Sequence, residues 1–218
     1  MKKISFVLII AFVFVSINYA QNINRYQFKS GKIVYQSSGS MVGTETMYFD
    51  NYGMLEAKNT KVVMDMMGIK QEMDTKVIMD RNWVYSIDNK TNTATKMENP
   101  IFSMFPEGTD AVNVGEEMMK KMGGKKTGTE TINGKDCDIW EIEQLKSKIW
   151  VWKSIPIKSE INAMGLSIIQ IATSVEVDVT VSPNEFKLPE GINIQDMETI
   201  DLNGMMGNWN WEMAFFYF

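Results

Sequence analysis

The sequence predicts a mainly β protein: one domain of mostly antiparallel strands with a single short helix. Three observations point there. From Phe28 to Glu98, short strand-like runs are punctuated by turn residues at close spacing, the pattern of a meander. Asn133-Gly134 stands between two such runs and is a strong hairpin signal. Val175, Val177, Val179 and Val181 alternate with Glu176, Asp178 and Thr180, so one face of that strand is buried and the other wet.

The elements follow in order. Gly31 to Tyr35 is the first strand and Thr44 to Phe49 the second, and Asp50-Asn51-Tyr52-Gly53 turns the chain into Met54 to Lys58. Val62 to Met66 and Lys70 to Thr75 flank Met67-Gly68, and Val77 to Met79 runs on toward Trp83 to Ile87. Asp88-Asn89-Lys90-Thr91 joins that run to Thr93 to Met97 as a hairpin. Pro100 and Pro106 close the region, and the stretch 102–112 reads as loop. Asn113, three residues before Glu116, supplies an N-cap with its reciprocal acid. Val114, Met118 and Met122 then share one helical face at i, i+4 and i+8, and Gly123-Gly124 stops the helix in the left-handed region. Strands resume at Thr129 to Ile132, Cys137 to Ile142, Lys148 to Trp152, Ile157 to Asn162, and Leu166 to Val181 with an internal break. Pro183 to Gly191 is a terminating turn with two apolar plugs, and beyond about Ile194 the pattern dissolves.

The ends and the charge set the cellular context. Lys2 and Lys3, an apolar run from Ile4 to Val15, and Ser16 to Ala20 before Gln21 are the three parts of a secretory signal, so residues 1–20 are expected to be cleaved after Ala20. Gln21 stands where a lipoprotein would need Cys, so the expected product is released into the periplasm or beyond. The expected folded domain is 21–195, followed by a tail at 196–218. The remaining 198 residues carry 20 basic and 27 acidic side chains, a formal charge of −7, which excludes nucleic acid as a partner and gives no basic stripe for anionic lipid. The chain has no histidine, which removes the commonest general base and metal ligand. One cysteine, Cys137, forms no internal bridge and reads as a small buried hydrophobe.

Three segments resemble the periplasmic lipoprotein carriers of the LolA and LolB type: Gly128 to Trp140, Lys148 to Lys158, and Val181 to Gly191. With the first-half meander, the resemblance spans roughly Phe28 to Ile192, closest to an uncharacterised exported branch. It implies a strongly curved antiparallel half-barrel sheet covered by one or two short helices. It also implies an acyl chain, lipid or other apolar ligand held between sheet and helices.

The candidate site is assembled on that expectation. Eighteen methionines against five leucines remain after the signal, and methionine adapts to varied apolar partners. A cavity lined by Met64, Met66, Met118 and Met122 would suit an acyl chain, with Met118 and Met122 as a movable lid. Trp83 and Tyr85 share one face of their strand, as Trp150 and Trp152 do of theirs, and are the expected aromatic floor. An ordinary methionine-filled core is the plainer reading of the same residues. The runs 118–122 and 64–67 are also similar to thioether clusters that take cuprous ion, but core packing accounts for them, so no metal or cofactor is expected. Glu116-Glu117, Asp136-Asp138 and Glu141-Glu143 have no organising partner, so no enzyme is expected. The alternative to ligand binding is an envelope interaction module that docks on a protein or the outer membrane through its aromatic tail, Asn203 to Phe218.

Overall fold

A computed structural model describes residues 24–66, 68–99, 114–163 and 165–196. The signal, the 102–112 stretch, Asn113 and the tail from 197 onward lie outside the described residues. The first half is β1 (Gly31–Gly39), β2 (Met41–Asp50), β3 (Leu55–Met66), β4 (Ile69–Met79), β5 (Trp83–Asp88) and β6 (Thr93–Glu98). Helix α1 (Val114–Lys121) follows, then β7 (Lys125–Ile132), β8 (Lys135–Ile142), β9 (Ser147–Trp152), β10 (Ile155–Ala163), β11 (Leu166–Val177) and β12 (Asn193–Asp196).

All twelve strands join one sheet in the order β12-β6-β5-β4-β3-β2-β1-β11-β10-β9-β8-β7. Every pairing is antiparallel except β12 with β6, which is parallel. β1 and β11, far apart in sequence, close the two meanders into one sheet at its centre. Two pairs of expected strands are single long ones. Met54–Lys58 and Val62–Met66 are continuous in β3, and Lys70–Thr75 and Val77–Met79 in β4, because the polar residues between them contain no Gly or Pro and pair without a register shift. β11 ends at Val177 rather than Val181, where Asp178 takes φ +54°. Val179 and Val181 stay half-buried beyond it and Thr180 exposed, so the alternation outlasts the strand.

The sheet is curved, and α1 shows by how much. Val114 and Met118 pack with Val77, Met79 and Val84 of β4 and β5, while Met119 and Met122 pack with Trp140, Ile142 and Ile149 of β8 and β9. β4 and β9 are six strand steps apart, about 29 Å in a flat sheet. A helix about 10–12 Å across touches both only if the sheet curls around it. α1 therefore lies on the concave face. Gly123, at φ +78°, stops it: Gly124 N–H donates to Met119 O at 2.8 Å and Gly123 N–H to Lys120 O at 2.9 Å, the paired bonds of a left-handed helix stop. On the other face, Phe186, Leu188 and Ile192 plug a cluster of Ala57, Ile78, Ile87 and Ala94.

Candidate functional site

The concave face is written in cross-strand rows. Ile33, Met47, Lys58 and Val77 are successive partners across β1 to β4, as are Phe49, Glu56 and Met79 across β2 to β4. Between this face and α1 lies a cleft of about 140 Å³. Its helix side is Val114, Gly115, Met118 and Met119; its sheet side includes Tyr35, Met47, Trp140 and Val151; the segment before β1 adds Arg25 and Tyr26. Glu45, Lys58, Glu116 and Asp138 also reach it, so the lining is half polar. Two of these acids are paired at the rim, Glu116 with Lys120 at 3.2 Å and Asp138 with Lys126 at 2.9 Å.

Beneath one end of the cleft sits a buried ionic group that the sequence reading passed over. Glu56 is 2 % exposed and takes Arg25 Nη1 at 3.2 Å and Lys58 Nζ at 3.6 Å. The Tyr26 hydroxyl donates to Glu56 Oε2 at 2.6 Å, and Arg25 also donates to Gly53 O at 3.2 Å. Burial by itself would push the Glu56 carboxyl up, but Arg25, then Lys58 and the Tyr26 hydroxyl, outweigh it and hold the carboxyl below its usual range. Burial, reinforced by the Glu56 charge, pushes the Tyr26 phenol well above its ordinary value, so it remains a donor. The group ties the segment at 25–26 to β3 and fixes one wall of the cleft.

The structure distributes the expected site residues over both faces. Met118 lines the cleft, and Met122 packs beside it against the Trp140 cluster. Trp150 and Trp152 do not line it. Val151, between them, does, so alternation turns both tryptophans away from the cleft along β9, although Trp150 joins, and Trp152 packs against, the large buried cluster that also holds Tyr26, Tyr35 and Met47. There Trp150 donates from Nε1 to Glu130 Oε2 at 2.6 Å, and Trp152 stacks at 5.2 Å from Phe28. Tyr85 likewise faces away from α1, in the cluster plugged by Phe186 and Leu188, and Trp83 alternates to the same side with Lys96 Nζ 3.8 Å from its ring centre. Met64 and Met66 lie near the tip of the β3–β4 hairpin, outside the cleft lining. Besides the ionic group, the lining residues that the sequence reading did not select include Tyr35, Met47, Met119, Trp140 and Val151. Trp140 and Ile142 face one way on β8 and Cys137 and Ile139 the other, and with apolar residues on both faces the pattern does not say which face is concave.

No family model matches the sequence, and no curated protein matches it. Solved structures do. An uncharacterised conserved protein from Thermus thermophilus superposes with a TM-score of 0.51 at 8% identity, over 81% of this chain and 95% of that one. MucB in complex with MucA(peri) gives 0.42 at 8% identity, over 80% of this chain and 59% of that one. A candidate outer membrane lipoprotein-sorting protein domain from Vibrio parahaemolyticus gives 0.27 at 9%, over 75% and 92%. At these identities the likeness is one of fold alone: a single curved, almost wholly antiparallel sheet with a short helix on its concave face.

Proposed function

We propose that this chain is an exported, non-enzymatic binder of an acyl chain or other apolar ligand, held between α1 and the concave face of the sheet. The observation that carries the reading is the cleft itself: Met47, Met118, Met119, Trp140 and Val151 converge on it. Buried apolar surface would supply the affinity, at roughly 0.8 kcal/mol per methylene. A volume of about 140 Å³ resembles the engineered apolar cavity of ~150 Å³ that admits benzene. It therefore takes the end of a chain as it stands, and a longer ligand requires α1 to lift. Export is supported by the leader-like pattern of residues 1–20.

The test is native mass spectrometry of the protein purified without detergent, followed by uptake of a dansyl-labelled fatty acid. A co-purifying lipid or saturable uptake is expected. Gly115→Leu gives the control: Gly115 lines the cleft, and a Cβ there meets Ser154 Cβ at 3.5 Å and Arg25 O at 3.7 Å, ordinary contact, so a larger side chain is expected to occupy the cleft. Uptake should fall in that variant while thermal stability is kept. A bare protein that takes up no probe, or undiminished uptake by Gly115→Leu, overturns the reading.

A further inference from the structure

The concave face does not end at the cleft. Toward the free tips of β2, β3 and β4 it carries a second set of methionines that the core does not use. Met41 pairs with Met64, Gly43 with Val62, Val62 with Met73, and Met66 with Ile69, all without a register shift. Directly paired residues share a face, as do residues two apart, so Met41, Met64, Met66 and Met73 project from the same side. None of the four belongs to the buried clusters found among the described residues. Met66 is 44 % exposed, and Met41, Met64 and Met73 are half-buried. Val62, in their midst, is only 4 % exposed although Gly43 opposite it has no side chain. By register, Met64 and Met73 are the long side chains placed to cover it. Partners across the strands have Cβ atoms about 4.5–5.5 Å apart, and diagonal neighbours at about 7–8 Å remain within reach of long side chains. Met64 thus lies within reach of Met41, directly opposite it, and of Met73, on the diagonal.

We propose that Met41, Met64 and Met73, with Met66 beside them, form a binding site for a soft monovalent cation, cuprous ion. Thioether sulfur selects that ion, and hard divalent ions require oxygen ligands. The carboxylates nearest in sequence point the other way: Asp65 lies between Met64 and Met66, Glu72 pairs across from Val63, and Asp74 pairs with Lys61 and bridges to it at 3.3 Å. Along the methionine face the first carboxylate is Glu45, two rows from Met41 and Met64, and it accepts from Thr60 Oγ1 at 2.8 Å. The face is neutral there, Gln71 opposite Met64 adding only an uncharged amide, and a set dominated by thioether sulfur suits Cu(I). Adjacent methionines in the sequence could not have made it, since consecutive residues of a strand face opposite sides. The register of three strands makes it.

The experiment is an anaerobic titration of the purified protein with Cu(I) in competition with bicinchoninate, read by loss of the coloured copper–chelator complex. One equivalent should be withheld from the chelator. The triple variant Met41→Leu, Met64→Leu, Met73→Leu keeps apolar volume and should keep the circular-dichroism spectrum. Its affinity should fall by at least about ten-fold, the smallest loss that even an outer-shell change brings to a metal site. Met54→Leu, in the core, should bind as the parent does. If the parent withholds no copper, or the triple variant binds as tightly as the parent, the site is refuted.

Discussion

Glu56 holds two cations and a phenol where water does not reach, and its removal has a calculable cost. In Glu56→Gln, Arg25 and Lys58 lose the carboxylate they share. Breaking a buried pair from one side costs about 3–5 kcal/mol, which urea unfolding would register as a lower midpoint at constant slope. The pH dependence follows from the same group. Its folded carboxyl titrates below the ordinary value of 4.5. Its stabilisation is therefore complete above the unfolded value and is lost as the pH falls through the folded one. Stability should drop on the acid side of about pH 4.5 in the parent, with a shallower slope in Glu56→Gln; parallel slopes would show that Glu56 does not carry the acid transition. None of this was legible in the sequence. Glu56 and Lys58 flank Ala57 in a strand covered on both faces, by the cleft wall on one side and by Phe186 and Leu188 on the other. Charged residues two apart read as a solvated face, and no local signal reveals that a segment 30 residues upstream will neutralise them.

At the scale of elements, turn chemistry was the most readable part. Asn133 and Gly134 both take positive φ, +49° and +74°, as a two-residue hairpin turn of the expected kind demands. The Gly123-Gly124 stop is equally local, and it gives a test. A Cβ at Gly123 meets nothing within 4 Å, so Gly123→Ala brings backbone strain alone. The left-handed conformation should cost about 1–2 kcal/mol, measured as a lower unfolding midpoint. An unchanged midpoint would mean that this last turn is not coupled to the domain. The helix face was only partly readable. A single line of residues at i, i+4 and i+8 found Val114, Met118 and Met122 but not Met119, because α1 is wedged between two walls and buries a wider arc than one line covers. β12 escaped notice for a different reason: a four-residue, fully exposed strand added in parallel to an edge has no apolar pattern to display.

The whole molecule raises the question of what can move. The strands are tied by ladders from edge to edge, and the β7–β8 turn is held back onto the sheet by Asn133 Nδ2, which donates to Ala172 O at 3.2 Å. α1 is two turns long and meets the sheet through side chains of two separate clusters. A helix of that length has little stability of its own in water, so its formation depends on those contacts. The curl that places β4 and β9 on either side of α1 was implied by the resemblance rather than by any strand pattern, since alternation marks two faces without saying which is concave. That is also why Trp150 and Trp152 could be paired with each other from the sequence and yet not line the cleft. Hydrogen exchange followed by mass spectrometry tests the consequence. Amides of α1 should exchange faster than those of β1, β2, β3 and β11, because local opening of the helix breaks two small clusters while opening of the central strands breaks the sheet. Saturation with the dansyl fatty acid should slow exchange in α1 and leave the central strands as they were, since a ligand that fills the cleft adds the apolar contacts α1 lacks. If α1 is instead as protected as β1 without ligand, and unaltered by it, then the helix is a fixed wall, the cleft stays at its present volume, and only the end of a chain can enter.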